Sequence, residues 1–184
     1  WVATWSNGEG PAISFNSDVD GLPGLSQTPG VLERMPQVEG AGGHGEGHNS
    51  GIAVSVTAAI AVKELMEAEG LTGTLQVWPG IAEEALAAKQ WFVAAGAFDD
   101  IDVVLSNHVG NGLGTSWGLS NSMSVVSAEY SFSGVSAHGA VSPWVGRSAL
   151  DAVELMNAGW NFRREHLHPN QRSHYVITNG GLQP

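Results

Sequence analysis

Residues 49–70, NSGIAVSVTAAIAVKELMEAEG, place apolar side chains at helical spacing, open on Asn49 or Ser50 as N-cap candidates and end on the helix-stopping Gly70. They predict one long helix. Runs rich in β-branched or aromatic residues lie on either side: VATWS (2–6) and AISFNSD (12–18) before it, TLQVW (74–78) and DVVLSNH (102–108) after it. A second helix fits AEEALAAKQWFVAAGAF (82–98). Strands alternating with helices of this length predict parallel strands joined by crossover helices, so the first part of the chain, 1–117, reads as an α/β layer domain.

The pattern changes after GNGLGTSWGLSNS (110–122), a Gly, Ser and Asn run that suits a hinge. Beyond it, MSVVSAEYSFSG (123–134) reads as a strand, GRSALDAVELMNAGWNFRREH (146–166) as an amphipathic helix and SHYVITNG (173–180) as another strand. Residues 118–184 therefore read as a second, α+β domain. The chain opens on WVATWSNGEG without an initiator Met or a basic leader, and stops at NGGLQP just after a strand-like run, so both ends read as truncations.

Composition limits the partners. Of 184 residues, 42% are hydrophobic and 14% charged, enough apolar material to bury a core. A net charge of −11 repels a nucleic-acid backbone and an anionic membrane surface. The longest apolar run, GIAVSVTAAIAV, is too short and interrupted to span a bilayer. The expectation is a cytoplasmic protein bound to neither nucleic acid nor membrane. The absence of cysteine excludes disulfides and thiolate metal ligands alike.

Four short stretches carry groups capable of chemistry. In GHGEGHNSG (43–51), His44, Glu46 and His48 alternate with glycines. An extended backbone would set neighbouring members of this trio roughly 6.6 Å apart, too far for one ion to bind all three, but a bend at the glycines could bring two together. A solvated surface loop is the alternative. In GIAEEAL, the adjacent Glu83 and Glu84 cannot share one direction, so one carboxylate could ligate an ion while its neighbour faces a water as general base. The pair would equally suit the first turn of a solvated helix. His108, in SNHVG, falls at the carboxyl end of a predicted strand, where open α/β sheets gather ligand sites, although a histidine packed under a loop would look the same. Asp18 and Asp20, in SDVDGLPG, also end a strand and could ligate a metal, orient an imidazole or shape a turn. The coincidence of the four favours a metal centre, and His, Asp and Glu without Cys suit zinc, manganese or cobalt.

Together, DGLPGLSQ, GHGEGHN, EE, NHVGNG, FSGVSAHGAVSPWVGRSALDAVELMN and REH…HYVITNGG occur in an order and at spacings that resemble the M20 family of metallopeptidases and amidohydrolases. The resemblance implies a partial catalytic domain, a mixed sheet flanked by helices, followed by a lid or dimerisation domain. It implies a two-metal amide hydrolase acting on an N-acyl amino acid or dipeptide, with Glu46, His48, Glu84 and His108 as ligands to two divalent ions and Glu83 as general base. Asp20, with Asp18 and His44, would stand behind the ligands or join them. His138 would reach the active site of a partner subunit and steady the oxyanion, and Asn179 would line the substrate pocket. A homodimer, or a heteromer with a related subunit, is the implied assembly. Glu46 stands where the family's GHGCGHN has cysteine, replacing a soft thiolate with a hard oxygen donor. Members of the family are also much longer, with a final ligand histidine after the lid domain, so the resemblance implies an incomplete site and no activity in this stretch alone. Glu46 and that missing ligand leave open a non-catalytic metal-binding subunit, and the substrate leaves open an aminoacylase or dipeptidase of other specificity.

Overall fold

The computed structural model describes residues 1–118 and 123–182, so positions 119–122 of the hinge reading lie outside the described residues. The chain divides into two compact units, Trp1–Val125 and Val126–Pro184.

The first unit contains β1 (Ala3–Ser6), β2 (Ala12–Asp18), α1 (His48–Glu69), β3 (Thr74–Gly80), α2 (Lys89–Ala94) and β4 (Val103–Ser106). Its strands form one sheet in the order β1-β3-β2-β4. β2 runs parallel to β3, with Phe15 opposite Val77, and parallel to β4, with Phe15 opposite Leu105. The sheet is mixed, as the family resemblance implies: β1 lies antiparallel on β3 with Trp5 opposite Leu75. Residues 7–11, the link from β1 to β2, are too few for the crossover of a dozen or more residues that would point the two strands the same way.

α1 packs on the sheet through His48, Gly51, Ser55, Ala59 and Met66, spaced at the helical repeat. Ala59 and Met66 join Phe15, Leu75 and Val77 in the core, with Trp5, Ile13, Ile52, Ala58 and Val62 around them. Each fully buried large apolar side chain contributes on the order of 1.5–3 kcal/mol, which fixes the helix on the sheet more firmly than its intrinsic propensity could. On the other face, Trp78 packs against Phe92 and Phe98, with ring centroids 5.8 and 4.8 Å away.

Two helix boundaries differ from expectation. α1 begins at His48, with Gly47 as N-cap at φ 95°, so Asn49 and Ser50 lie inside its first turn. The left-handed glycine turns the chain directly from the loop into the helix and delivers His48 buried at its first position. The predicted helix over 82–98 shrinks to Lys89–Ala94, because Ala82, Leu86 and Ala87 adopt left-handed φ values of 55°, 74° and 54°. No α-helix accommodates those angles.

In the second unit, a 3₁₀ turn (Pro143–Val145) precedes α3 (Ala149–Arg164). Ser148 caps α3 by accepting from the Asp151 N–H at 3.1 Å, and Arg163 and Arg164 sit at the carbonyl end, where the helix dipole favours them. The strands read over 123–134 and 173–180 are not found: among the described residues neither run enters a ladder. Apolar and β-branched content yields a strand only where a neighbouring backbone supplies hydrogen bonds. Ser173 and Tyr175 instead use side chains, receiving hydrogen bonds from Trp160 Nε1 (3.1 Å) and Asn161 Nδ2 (3.2 Å) of α3. No described helix is long and apolar enough to cross a membrane.

Candidate metal centre

β2, β3 and β4 all release the chain at one edge of the sheet, where α1 begins. That edge lies beside the point at which strand order reverses, since β3 and β4 flank β2 on opposite sides. The loop after β2 carries Asp20, the loop after β3 carries Glu83 and Glu84, the loop after β4 carries His108, and α1 opens on His48. The glycines of 43–47 let the remaining loop thread in beside them. A Cβ on Gly43 would collide with the Leu25 carbonyl, and one on Gly45 would meet the Leu25 side chain at 2.6 Å.

Potential ligand atoms converge in two overlapping groups: Glu46, His48 and His108 in one, and Glu46, His48, Glu83 and Glu84 in the other. Within each group they lie within 4.8 Å of one another. The adjacent glutamates, expected to diverge, both reach the second group. The left-handed turn at Ala82 departs from helical geometry, and Asp20 Oδ2 holds the Glu84 N–H at 3.0 Å.

The imidazoles present the same side to this centre. His48 Nδ1 lies 3.1 Å from the Asp20 carbonyl oxygen, and His108 Nδ1 lies 2.9 Å from that of Val109. A carbonyl only accepts, so each Nδ1 carries the hydrogen and each Nε2 is left with a lone pair in the neutral ring. His48 Nε2 is 2.7 Å and His108 Nε2 3.4 Å from Glu46 Oε1, with the rings edge-to-face at a centroid distance of 5.4 Å. Metal-ligating histidines are commonly oriented by this kind of carbonyl partner. The 2.7 Å approach lacks the alignment of a hydrogen bond, so His48 Nε2 stays unpaired, as do the buried oxygens Glu84 Oε1 and Asp20 Oδ1. Unpaired buried polar atoms beside two further carboxylates call for a cation, and the donor set fits a divalent one.

The electrostatics agree. Glu84 is raised above the ordinary carboxylate pKa, first by desolvation and then by the Glu46 and Glu83 carboxylates, with His48 opposing. His108 is raised above 6.5, chiefly because its imidazolium donates to the Val109 carbonyl and faces Glu46 and Asp18, while desolvation opposes. The signs predict opposite trends in stability and binding. His108 contributes stability to the metal-free protein that is fully present below about pH 6.5 and is lost as pH rises through its raised folded value. Zn²⁺ affinity should rise over the same interval as the competing proton leaves. Calorimetric titrations should show Zn²⁺ binding releasing a proton below the His108 transition and none above it.

The remaining site expectations fall elsewhere. Asp18 is buried but engaged by the Lys89 ammonium rather than placed in either group. His44 is exposed and outside both groups. In the second unit, His138 is exposed in a turn, its Nδ1 accepting from the Ala140 N–H at 3.2 Å, and Asn179 is exposed, its Oδ1 accepting from the Gly181 N–H at 2.9 Å. Sequence reading missed Lys89 and Asn107. Lys89 is one of only two lysines, and Asn107 directly precedes a ligand candidate, but neither spacing nor residue type shows which partner a side chain will meet.

No protein-family model matches the chain. A p-aminobenzoyl-glutamate hydrolase subunit of Escherichia coli (strain K12) is 40% identical over 187 residues, covering 100% of this chain and 38% of that protein. The Xaa-Arg dipeptidase of Mus musculus is 28% identical over 94% of this chain and 36% of its own length. The indole-3-acetyl-aspartic acid hydrolase of Enterobacter agglomerans is 31% identical over 83% of this chain and 36% of its own length. The chain thus spans less than two-fifths of the length of these curated relatives. By the whole-chain similarity and the motifs that line its candidate centre, the protein is related to the M20-type peptidases and amidohydrolases.

Proposed function

We propose that the protein is a metal-dependent hydrolase of the amide bond in N-acyl amino acids. The observation that carries this reading is the convergence of the His48 and His108 Nε2 atoms on Glu46, each ring held by a backbone carbonyl at Nδ1. Glu46, His48, Glu84 and His108 would hold two divalent ions, with zinc, manganese and cobalt all suited to the donors. When bound, the metal supplies Lewis acidity that polarises an amide carbonyl and makes water more acidic.

The side chains supply the rest. Glu83, not required as a ligand, accepts the proton of the attacking water and hands it to the leaving amine. Asp20 holds the Glu84 backbone and, through its own carbonyl, the His48 ring, so it sets two donors at once. Asp18 is neutralised by Lys89 and stays out of the metal set. Following the family resemblance, His138 is assigned to the oxyanion and Asn179 to the substrate. The resemblance, with one relative being itself a hydrolase subunit, points to a second copy or a related chain as partner.

The relatives' names give the substrates to try first: p-aminobenzoyl-glutamate, indole-3-acetyl-aspartate and dipeptides ending in arginine. Turnover of at least one should vanish on chelation and return with added Zn²⁺ or Mn²⁺. Turnover that survives complete metal removal would overturn the proposal.

A further inference from the structure

We infer that Asn107 is a positioning residue that sets the spacing between His108 and His48. The inference rests on the metal-centre reading for its consequence, though not for its geometry.

His108 leaves the sheet from β4, whose residues are all exposed and whose parallel ladder with β2 is only four residues long. Such an edge strand does little by itself to fix the loop that follows. Asn107 supplies the missing constraint. Its Oδ1 accepts from Ser17 Oγ at 3.2 Å, near the end of β2, and its Nδ2 donates to Ser55 Oγ at 2.9 Å, on α1. Ser17 and Ser55 are 4% and 2% exposed, and the Ser55 hydroxyl continues the chain to the Asn16 carbonyl at 3.5 Å. One amide therefore joins β2, α1 and the β4 exit through a set of small polar groups.

The register of α1 turns this clamp into a ruler. Ser55 is seven residues beyond His48, two turns along the same buried face, so an amide fixed to Ser55 is fixed relative to the His48 ring. Gly51, between them, makes the approach possible: a Cβ there would lie 2.9 Å from Asn107 Oδ1 and 2.7 Å from Ser17 Oγ. With Asn107 held, the next residue brings its imidazole edge-to-face with His48 at a centroid distance of 5.4 Å. Asp20 orients His48, and Asn107 sets His108.

The test uses two variants, Asn107→Leu, which keeps the size and removes both hydrogen bonds, and Ser55→Ala, which removes one acceptor from the far end. Two quantities are read: Zn²⁺ affinity by calorimetry, and the nuclear Overhauser contact between the His48 and His108 rings in metal-free protein. Asn107→Leu should weaken the ring contact and lower Zn²⁺ affinity by about 10–100-fold, the range for partners that orient ligands, while leaving the far-ultraviolet circular dichroism unchanged. Ser55→Ala should move both readouts in the same direction by less. Retention of the ring contact and the affinity in a folded Asn107→Leu protein would overturn the inference. If that variant does not fold, unchanged ring contact and affinity in Ser55→Ala overturns it instead. If the unsubstituted protein binds no Zn²⁺, the metal reading fails, and the ring contact alone decides whether Asn107 positions His108.

Discussion

Replacing Glu83 by glutamine should lower amide hydrolysis by about 10²- to 10⁴-fold and leave Zn²⁺ affinity nearly unchanged. The Glu83 carboxylate lies within 4.8 Å of ligand atoms from Glu46, His48 and Glu84, close enough to meet a water or a leaving amine at the centre. Glutamine preserves its size and hydrogen-bonding reach but cannot take up a proton at neutral pH. The loss should therefore fall on kcat more than on KM, because the proton moves in the reaction and not in binding. Glu84→Gln provides the contrast. Its carboxylate is desolvated and is an assigned ligand, so that change should weaken metal binding first and activity as a result. Wild-type turnover in Glu83→Gln would remove Glu83 from the role of base, and collapse of metal affinity would make it a ligand.

His48→Ala should lower Zn²⁺ affinity by more than about 100-fold, beyond the usual effect of changing a partner that only orients a ligand. His48 belongs to both ligand groups, and its side chain is 4% exposed, so no solvent-borne group easily replaces it. Its removal also leaves Glu46 and Glu84 crowded without the one neighbour that lowers the Glu84 pKa. Alanine is a good helix former at the first position of α1, so the helix should persist and the deficit should be specific to metal. The same substitution at His44, exposed and outside both groups, should leave affinity unchanged.

The helix over 49–70 was legible because its apolar spacing and its stop at Gly70 agree with its packing; Gly70 closes it at φ 66° with its N–H on the Met66 carbonyl. β2 and β3 were legible for the same reason, local composition and burial pointing one way. The 82–88 segment was not. Its Ala, Leu and Glu content favours helix, yet tertiary contacts turn Ala82, Leu86 and Ala87 left-handed and bring two adjacent carboxylates to one centre. Propensity counts single residues and carries no term for a distant Asp20 oxygen capturing the Glu84 N–H. Residues 123–134 and 173–180 misled in the opposite direction, offering strand-like side chains without a ladder partner among the described residues. At the site, residue types singled out His44, Glu46, His48, Glu83, Glu84, His108, Asp18 and Asp20 as candidates, and only the family resemblance narrowed the ligands to Glu46, His48, Glu84 and His108. Residue types alone could not distinguish Asp18, taken by Lys89, from Asp20, which holds the Glu84 N–H, since that choice depends on contacts more than sixty residues apart in sequence.

The most direct test titrates Zn²⁺ into the metal-free protein and into its His48→Ala variant side by side, at a pH above the His108 transition. The account predicts saturable, stoichiometric binding to the unsubstituted protein, and a loss of more than about 100-fold in the variant. Equal binding by both proteins, or binding by neither, would contradict a metal centre built on His48.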